Sequence, residues 1–343
     1  MTIKDLARIA GVSYSTVSRA LNDNPRIGLD TRERIKALAE LHRFEFNAGA
    51  RSLASKRTGS IAVIYGRDLE IFGNSLYTNQ LFLDLRHSLE VLRLDSILLQ
   101  PFNPATGNGN IGRLIRQGKV DGFLIVDAGV SREEYELIRR ADLAVVQLHL
   151  PSTYYPMDSL DYFVTDNVTG GEMACRHLIA EGCERILCLG SGPGGGGQEF
   201  AQRAEGYRRA LAGAGLCRDP ELSVDAGGCS FDAGYGFVLA NEELVRSVDG
   251  IFACADILGV GCVAALAALG IEAPGAVKVI GFDDCAVCSM CRPALSSVRQ
   301  PREELARRAA ARLAALLAGA DGAPEQVVLE PSLVVRGSSK QGR

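Results

Sequence analysis

Residues 11–22 read GVSYSTVSRALN, a short helical stretch with more polar residues than a helix that only packs against a core. Val17, Ala20 and Leu21 fall on one side of the predicted helix, while small hydroxyl residues and an arginine fall on the other. Ser13 can cap this helix, because its hydroxyl can accept a hydrogen bond from an amide of the first turn. The stretch therefore predicts a helix with one buried face and one exposed polar face.

A second short helix precedes this stretch. Apolar residues between Ile3 and Ala10 recur at helical spacing. Thr2 is a suitable N-cap, and Gly11 can end the helix in a left-handed conformation. Two short helices joined by a tight turn predict a helix-turn-helix, whose second helix enters the major groove of DNA. Small hydroxyl side chains allow close approach to the duplex, and Arg19 has the fork geometry that recognises guanine.

A third helix is predicted from Asp30 to about His42, which completes a three-helix head. Asp30 is the expected N-cap, and Glu33 completes a capping box. The alternative interpretation of the head is a helical hairpin that does not bind nucleic acid. The residues predicted to face inward are Ile35, Leu38 and Ala39.

Charge separates the head from the rest of the chain. Residues 1–57 carry 11 Lys and Arg against 6 Asp and Glu, whereas the remainder carries 26 against 35. A basic head on an acidic body indicates a polyanionic partner for the head alone, unless the imbalance is a chance surface property. The N-terminus is charged and no long apolar run occurs, so we expect a cytoplasmic protein without a membrane segment.

Residues 47–59, NAGARSLASKRTG, follow the head and are a marginal helix on their own. A linker is the simplest interpretation. The alternative is a hinge helix that folds on DNA and inserts Leu53 into the minor groove.

The chain resembles the LacI/GalR family of bacterial transcription regulators. The resemblance is carried by TIKDLARIAGVSYSTVSRALN and NAGARSLASKRTGSIAVI near the start. It continues through DNVTGGEMACRHLIAEGCERI, RAEGYRRAL, VIGFDD and PALSSVRQP. The resemblance implies a dimeric repressor on a pseudo-palindromic double-stranded DNA operator, with Tyr14, Ser15 and Arg19 reading bases. The full predicted DNA-contacting set is Thr2, Ser13, Tyr14, Ser15, Thr16, Ser18, Arg19, Asn22, Asn47, Ala50, Arg51 and Leu53.

Residues 60–343 alternate short apolar strands with helical runs, which predicts an α/β body with parallel sheets covered on both faces. One series of strands runs from SIAVIY to LAVVQL, and a second starts at YFVTD and ends at VKVIGF. We therefore expect a helix-turn-helix head (1–46), a hinge or linker (47–59) and a two-lobed, periplasmic-binding-protein-like effector and dimerisation domain (60–343). The resemblance implies three crossings between the lobes. It places lobe 1 at about 60–160 and 292–323, and lobe 2 at about 161–291 and 324–337.

Effector ligands are expected just after the strands, where doubly wound sheets bind small molecules. The resemblance places Arg203 on the effector, and its planar donor fork suits hydroxyl pairs or a carboxylate. Two features depart from the sugar-binding pattern: Ala255 stands where many relatives carry Asn, and His149 stands where many carry Asp. The alternative interpretation is that Arg203 is an ordinary surface arginine and that Asp256 and Asp283 only cap helices. The candidate effector residues are Tyr65, Asp68, His149, Arg203, Asp256 and Asp283.

Two other motifs carry weaker implications. GSGPGG (190–195) fits a dinucleotide-binding pattern, but more glycines follow it and no acidic partner stands at the expected distance, so we expect a loop. Cys285, Cys288 and Cys291 have C-x2-C-x2-C spacing, for which a chance cluster is the plain interpretation and a metal or redox site the alternative.

The sequence predicts a DNA-binding regulator controlled by a sugar-like effector, and not an enzyme, since no catalytic arrangement is evident. We expect no cofactor, no metal and a homodimer. A cytoplasmic solute-binding module and a redox- or metal-responsive regulator that uses the cysteines are the alternatives.

Overall fold

The computed structural model describes residues 1–21, 23–44, 57–66, 76–103, 105–126, 130–148, 159–190, 197–217 and 219–340. Two compact units divide the chain, one spanning Met1–Gly59 and the other Ser60–Arg343. Within the described ranges, no helix is long and apolar enough to cross a membrane.

Local capping sets the first two helices of the head. Thr2 and Asp5 form the reciprocal capping box of the first helix, and Gly11 ends it with φ of 66°. The amide of Thr16 donates to the Ser13 hydroxyl at 3.1 Å, which caps the second helix as predicted. The helices of the head are α1 (Ile3–Ala10), α2 (Tyr14–Leu21) and α3 (Leu29–Leu41).

The predicted N-cap of α3, Asp30, is wrong by two residues, so the predicted capping box with Glu33 is wrong as well. The helix begins at Leu29, and Gly28 in the N-cap position supplies no side-chain hydrogen bond. Asp30 therefore lies in the first turn, where its carboxylate interacts favourably with the helix dipole instead of capping.

One small apolar core holds the three helices together. Leu6 of α1, Val17 and Ala20 of α2, and Ile35 of α3 have no exposed surface. Leu38 and Ala39 also pack in this core, so the predicted inward face of α3 is confirmed. Because one face of α2 is used for packing, its polar residues lie on the remaining surface.

The first lobe of the body is built on a parallel six-stranded sheet in the order β11-β5-β4-β3-β1-β2. Ile61 of β1 pairs with Ser96 of β2 on one side and with Gly122 of β3 on the other. Its strands are β1 (Ser60–Ile64), β2 (Asp95–Leu99), β3 (Gly122–Ile125), β4 (Ala144–Leu148), β5 (Asp161–Thr165) and β11 (Gln326–Leu329). Its helices are α4 (Leu76–Val91), α5 (Asn110–Arg116), α6 (Arg132–Arg140) and α12 (Arg302–Leu317).

The second lobe is built on another six-stranded sheet, in the order β12-β10-β9-β8-β6-β7. It is parallel except for β12, which pairs antiparallel with β10. Its strands are β6 (Ile186–Gly190), β7 (Ser223–Asp225), β8 (Gly250–Ala253), β9 (Lys278–Asp283), β10 (Ser296–Arg299) and β12 (Ser332–Val334). Its helices are α7 (Asn167–Ala180), α8 (Gly197–Gly213), α9 (Phe231–Ala240), α10 (Glu242–Arg246) and α11 (Asp256–Ala268).

The sheets divide the chain differently from the predicted series of strands. Strand β5 lies in the first sheet, although YFVTD was expected to start the second lobe. Strand β10 lies in the second sheet and β11 in the first, so each was assigned to the wrong lobe. The chain nevertheless passes between the sheets three times, after β5, after β10 and after β11. Strand composition alone does not distinguish two sheets that have the same apolar, parallel character.

A close contact between two helices positions the second lobe's polar residues. In α7, a Cβ on Gly171 would lie 2.1 Å from the Arg203 carbonyl oxygen of α8. In α8, a Cβ on Gly206 would lie 2.2 Å from the Val168 carbonyl oxygen. Glycine at both positions lets the two backbones touch, which brings Arg203 beside the start of α7.

Candidate functional site

The exposed side of α2 carries the predicted base-reading residues. Tyr14 is 64% exposed, and Arg19 is also exposed. Ser15 and Thr16 are half-buried, and each hydroxyl lies 2.8 Å from that of Ser13. This side of the helix therefore presents one aromatic ring, one guanidinium and a connected row of hydroxyl groups. Ser18 is also half-buried on α2.

Thr2, which was predicted to contact DNA, also has a structural role as the N-cap of α1. Its hydroxyl donates to the Asp5 carboxylate at 2.7 Å and accepts from the Asp5 amide at 3.3 Å. These hydrogen bonds, with the nearby Arg8, lower the pKa of the Asp5 carboxyl. Outside the described residues lie Asn22, Asn47, Ala50, Arg51, Leu53, Asp68 and His149, and the glycine-rich segment 191–196.

Arg203 is the central buried cation of the second lobe. Its side chain is almost completely enclosed, and Nε donates to Asn167 Oδ1 at 2.9 Å. Nη1 donates to the Cys254 carbonyl oxygen at 2.6 Å. The guanidinium carbon lies 3.8 Å from the centroid of the Phe282 ring, a cation–π distance. Arg203 is thus held in one orientation, so the surface-arginine alternative is wrong.

Asp283 stands beside this guanidinium at the carboxyl end of β9. Its Oδ1 lies 3.6 Å from Arg203 Nη1 and accepts a hydrogen bond from Gln300 Nε2 at 2.7 Å. The φ of Asp283 is 119°, in the region that favours glycine, so the surrounding structure holds a strained backbone here. Neighbouring Asp284 is instead bound to Arg299 and Arg336, each at 2.6 Å. Of the two aspartates in the GFDD motif, Asp283 is therefore the one beside Arg203.

Asp256 lies beneath this site rather than on its surface. It is 1% exposed, and its Oδ1 accepts from the Ser297 hydroxyl at 2.5 Å. Its Oδ2 accepts from the Cys285 amide at 2.7 Å. Burial, together with the negative charge of Asp283, raises the pKa of the Asp256 carboxyl to about 8. Both of its oxygens are engaged within the chain, which fits a supporting role.

The side-chain amides of Asn167 and Gln300 bind Arg203 and Asp283, respectively. We call these four residues the Arg203 cluster: Arg203, Asn167, Asp283 and Gln300. Asn167 is the first residue of α7, and Gln300 follows β10 directly. The sequence analysis missed both. The sequence could have indicated both, because each is a polar residue just after a strand. Tyr65, predicted for the first lobe, lies after β1 and donates its amide to the Leu99 carbonyl.

The side-chain amides of Asn167 and Gln300 line a recess together with residues of the first lobe. Burial and the negative charge of Asp283 raise the pKa of the Tyr77 hydroxyl in its wall. The Thr165 hydroxyl is buried beside Tyr77, and among the described residues no group lies in hydrogen-bonding geometry to it. Apolar and polar side chains therefore line the recess in equal numbers. Its lining residues are Tyr77, Leu81, Leu148, Val164, Thr165, Asn167, Gln300 and Leu305.

The predicted cysteine motif does not converge on one point. The Cys291 thiol donates to the carbonyls of Cys288 and Pro293, at 3.5 and 3.3 Å. Burial raises the pKa of the Cys285, Cys288 and Cys291 thiols, which keeps them protonated and unreactive at neutral pH.

These features define a class of protein: a helix-turn-helix head on a two-lobed domain of the kind that binds small molecules. Residues 2–47 match the family model of bacterial regulatory proteins, lacI family. Residues 175–339 match the periplasmic binding protein-like domain.

Relatives along the full chain give the same result. The chain is 29% identical over 346 residues to the HTH-type transcriptional regulator CelR of Thermobifida fusca, covering 98% of both proteins. It is 30% identical to the regulator GntR of Pseudomonas aeruginosa, covering 93% of this chain and 90% of that protein. The chain belongs to the LacI family of bacterial transcription regulators. It is therefore a DNA-binding regulator and not an enzyme, as its sequence predicted.

Solved structures agree with the fold. A CelR–cellobiose complex aligns with a TM-score of 0.71 and 26% identity, covering 98% of this chain and 99% of that one. A lac repressor dimer bound to operator aligns with a TM-score of 0.77 over 99% of each chain, at 20% identity. The predicted α/β architecture with a three-helix head is confirmed.

Proposed function

We propose that this protein is a dimeric repressor whose operator binding is controlled by a small hydroxylated molecule, such as a sugar, bound at the Arg203 cluster. The observation that carries the proposal is the buried Arg203 beside Asp283. Together they place a rigid donor fork and a carboxylate acceptor at one point. Neighbouring hydroxyls on a ring both donate and accept hydrogen bonds, so such a pair can hold them.

The relatives support this ligand class. One related structure contains cellobiose, and another family member at 23% identity was solved with ribose. The amides of Asn167 and Gln300 add both donors and acceptors, as recognition of a polyhydroxylated molecule requires. Ala255 and His149 differ from the residues that many sugar-binding members carry there, so the ligand is an unusual member of this class.

The proposed mechanism is a shift between two conformations. Ligand bound between the lobes stabilises one lobe orientation, and operator DNA stabilises the other. We propose that ligand binding releases the operator and that the predicted hinge, 47–59, transmits the change. The recognition helix α2 supplies base contacts through Tyr14, Ser15 and Arg19.

The DNA-binding part is tested first. Selection from random duplexes identifies the preferred operator, and gel retardation measures affinity for it and for random DNA. We expect Arg19→Ala to cost about 1–3 kcal/mol on the operator and much less on random DNA. Arg8→Ala removes an exposed charge from α1 and should weaken both alike. Equal loss on both DNAs for Arg19→Ala would exclude base reading by this residue.

The effector part is tested with the same operator. A thermal-shift panel of monosaccharides and disaccharides identifies a stabilising ligand, whose effect on operator affinity is then measured. We expect Asp283→Asn to weaken the ligand response at least tenfold without changing operator affinity in its absence. Asp225→Asn, at the exposed end of β7, is the matched control and should respond normally. An undiminished response in Asp283→Asn would place the ligand elsewhere.

A further inference from the structure

Apolar side chains gather at the carboxyl ends of three neighbouring strands of the second lobe. Strands β7, β6 and β8 lie side by side in the sheet. Residues from α8 and from the segments after β7 and β8 form one apolar cluster there. We call five of its members the apolar edge: Phe200, Ala226, Cys229, Ala255 and Ile257. Doubly wound sheets bind small molecules at the carboxyl ends of their strands, so the apolar edge lies on the ligand side of the lobe.

The apolar edge is not a closed core. Four of its members, all except Ala255, are only half-buried. Two polar side chains from the loop after β7 serve that loop's own turns. The Ser230 hydroxyl accepts from the Ala233 amide at 3.1 Å, and Asp225 Oδ1 accepts from the Gly227 amide at 2.9 Å. The loop therefore adds apolar surface to the edge, while these two polar groups are engaged locally.

Ala255 occupies a position where a polar residue would stabilise the adjoining helix. It is the N-cap residue of α11, and its methyl group cannot accept a hydrogen bond from the amides of the first turn. Asn, Asp and Ser at an N-cap stabilise a helix relative to alanine. The chain forgoes this stabilisation at the ligand side of the sheet. Departures from local preference are expected at functional sites, so Ala255 points to a need for apolar surface here.

The apolar edge is continuous with the Arg203 cluster. The guanidinium carbon of Arg203 lies 5.5 Å from the centroid of the Phe200 ring. Arg203 also donates to the carbonyl of Cys254, the residue directly before Ala255. Neighbouring strands lie about 4.8 Å apart, so the ends of three strands span roughly 10 Å. One small molecule can therefore contact the polar cluster with one ring and the apolar edge with another.

We propose that the apolar edge is a subsite for an aromatic group, and that the effector is an aryl glycoside. This inference rests on the proposed function, because it extends the ligand held by the Arg203 cluster. Small-molecule sites combine a few polar groups that fix orientation with a larger apolar lining. Hydroxyl groups placed against the apolar edge would lose hydrogen bonds to water without replacing them, which disfavours a second sugar ring there. An aromatic group has no such cost and packs favourably against the Phe200 ring.

The test uses the full chain and matched methyl and phenyl glycosides of the common hexoses and pentoses. Isothermal titration calorimetry measures the affinity of each pair. We expect the phenyl glycoside of the preferred sugar to bind at least about tenfold more tightly than its methyl counterpart, since even one methylene in an apolar pocket gives that discrimination. Ala255→Asn should bring the two affinities within about threefold of each other, because its amide needs hydrogen-bond partners that a phenyl group does not offer. Asn is a preferred N-cap, so α11 should still form.

A second variant and a matched control accompany this substitution. Ile257→Thr places a hydroxyl at the half-buried apolar edge, and it should also reduce the preference for the phenyl glycoside. Ala267→Asn changes an exposed alanine of the same helix and should keep the full preference. Far-UV circular dichroism checks that each variant is folded, and Ile257→Thr decides the matter if Ala255→Asn is not.

The outcomes separate this inference from the proposed function. Equal affinity for methyl and phenyl glycosides in the unaltered protein overturns the apolar subsite and leaves the proposed function standing. If neither glycosides nor free sugars bind, both are overturned. A preference for the phenyl glycoside that survives both Ala255→Asn and Ile257→Thr, or that Ala267→Asn removes, also overturns the assignment of the subsite to the apolar edge.

Discussion

Removing the guanidinium of Arg203 should destabilise the second lobe far more than removing an exposed arginine does. In Arg203→Met the apolar stem is kept, while the hydrogen bonds to Asn167 and to the Cys254 carbonyl are lost. Each bond from a charged donor contributes about 1.5–3 kcal/mol. Breaking a buried ion pair by deleting one partner costs about 3–5 kcal/mol in all. We expect a loss of unfolding free energy in that range.

A double-mutant cycle isolates the electrostatic part of this loss. Without Arg203, the Asp283 carboxylate stands next to Asp256 with no cation at 3.6 Å, so neutralising it should help. Adding Asp283→Asn to Arg203→Met should recover about 1–2 kcal/mol, within the usual coupling range for residues in contact. Urea unfolding followed by circular dichroism measures all four proteins, since the chain has no tryptophan.

A matched control separates burial from distance. Arg299 is paired with Asp284 at 2.6 Å, closer than Arg203 is to Asp283, but the Arg299 side chain is 57% exposed. Water screens the exposed Arg299, and Arg336 still pairs with Asp284 in the variant, so Arg299→Met should cost no more than about 1 kcal/mol. Additive effects within about 0.5 kcal/mol in the Arg203 and Asp283 cycle would refute the reasoning. A loss for Arg299→Met equal to that for Arg203→Met would do the same.

Three further outcomes follow from single residues. The pKa of Asp256, raised to about 8, means that the folded state retains a proton which the unfolded state releases near pH 4. Stability should therefore fall as pH rises from about 5 to 8, by up to about 1.4 kcal/mol per pH unit, and Asp256→Asn should flatten this slope in urea titrations at several pH values. Gly171→Ala would place a Cβ 2.1 Å from the Arg203 carbonyl oxygen and should lower the free energy of unfolding in urea by about 3 kcal/mol or more. In the control Gly213→Ala, the new Cβ meets nothing within 4 Å, so the variant should be as stable as the unaltered protein or more stable. Val17→Ala removes two methyl groups from the fully buried head core and should cost about 2 kcal/mol, measured as a lower midpoint of head unfolding.

Local chemistry made the head predictable. Thr2, Gly11 and Ser13 act within a few residues of their position, so their capping roles follow from sequence alone. Asp30 shows the limit of this reasoning. A carboxylate in the first turn and one at the N-cap have the same sequence signature, and a shift of two residues in the helix start exchanges them.

Sheet membership and burial were not predictable, because both depend on distant parts of the chain. Strand β5 joined the first sheet through its pairing with β4 and β11, and β11 lies more than 150 residues away. Asp283 is the last residue of β9 and Asp256 comes shortly after β8, so the sequence placed both in the effector site. The Ser297 hydroxyl and the Cys285 amide enclose Asp256, and neither contact is visible from its neighbours in sequence.

The position of the Arg203 cluster connects it to movement of the lobes. Asn167 lies just after the first crossing between the sheets, and Gln300 lies within the second, between β10 and α12. Each is bound directly to a central residue of the cluster, Asn167 to Arg203 and Gln300 to Asp283. A change in lobe orientation has to alter backbone angles at these crossings, since they join the two sheets. In the proposed mechanism, a ligand that engages Arg203 and Asp283 would act on the crossings through single hydrogen bonds. Its contacts would then differ between the two proposed orientations, as control by population shift requires.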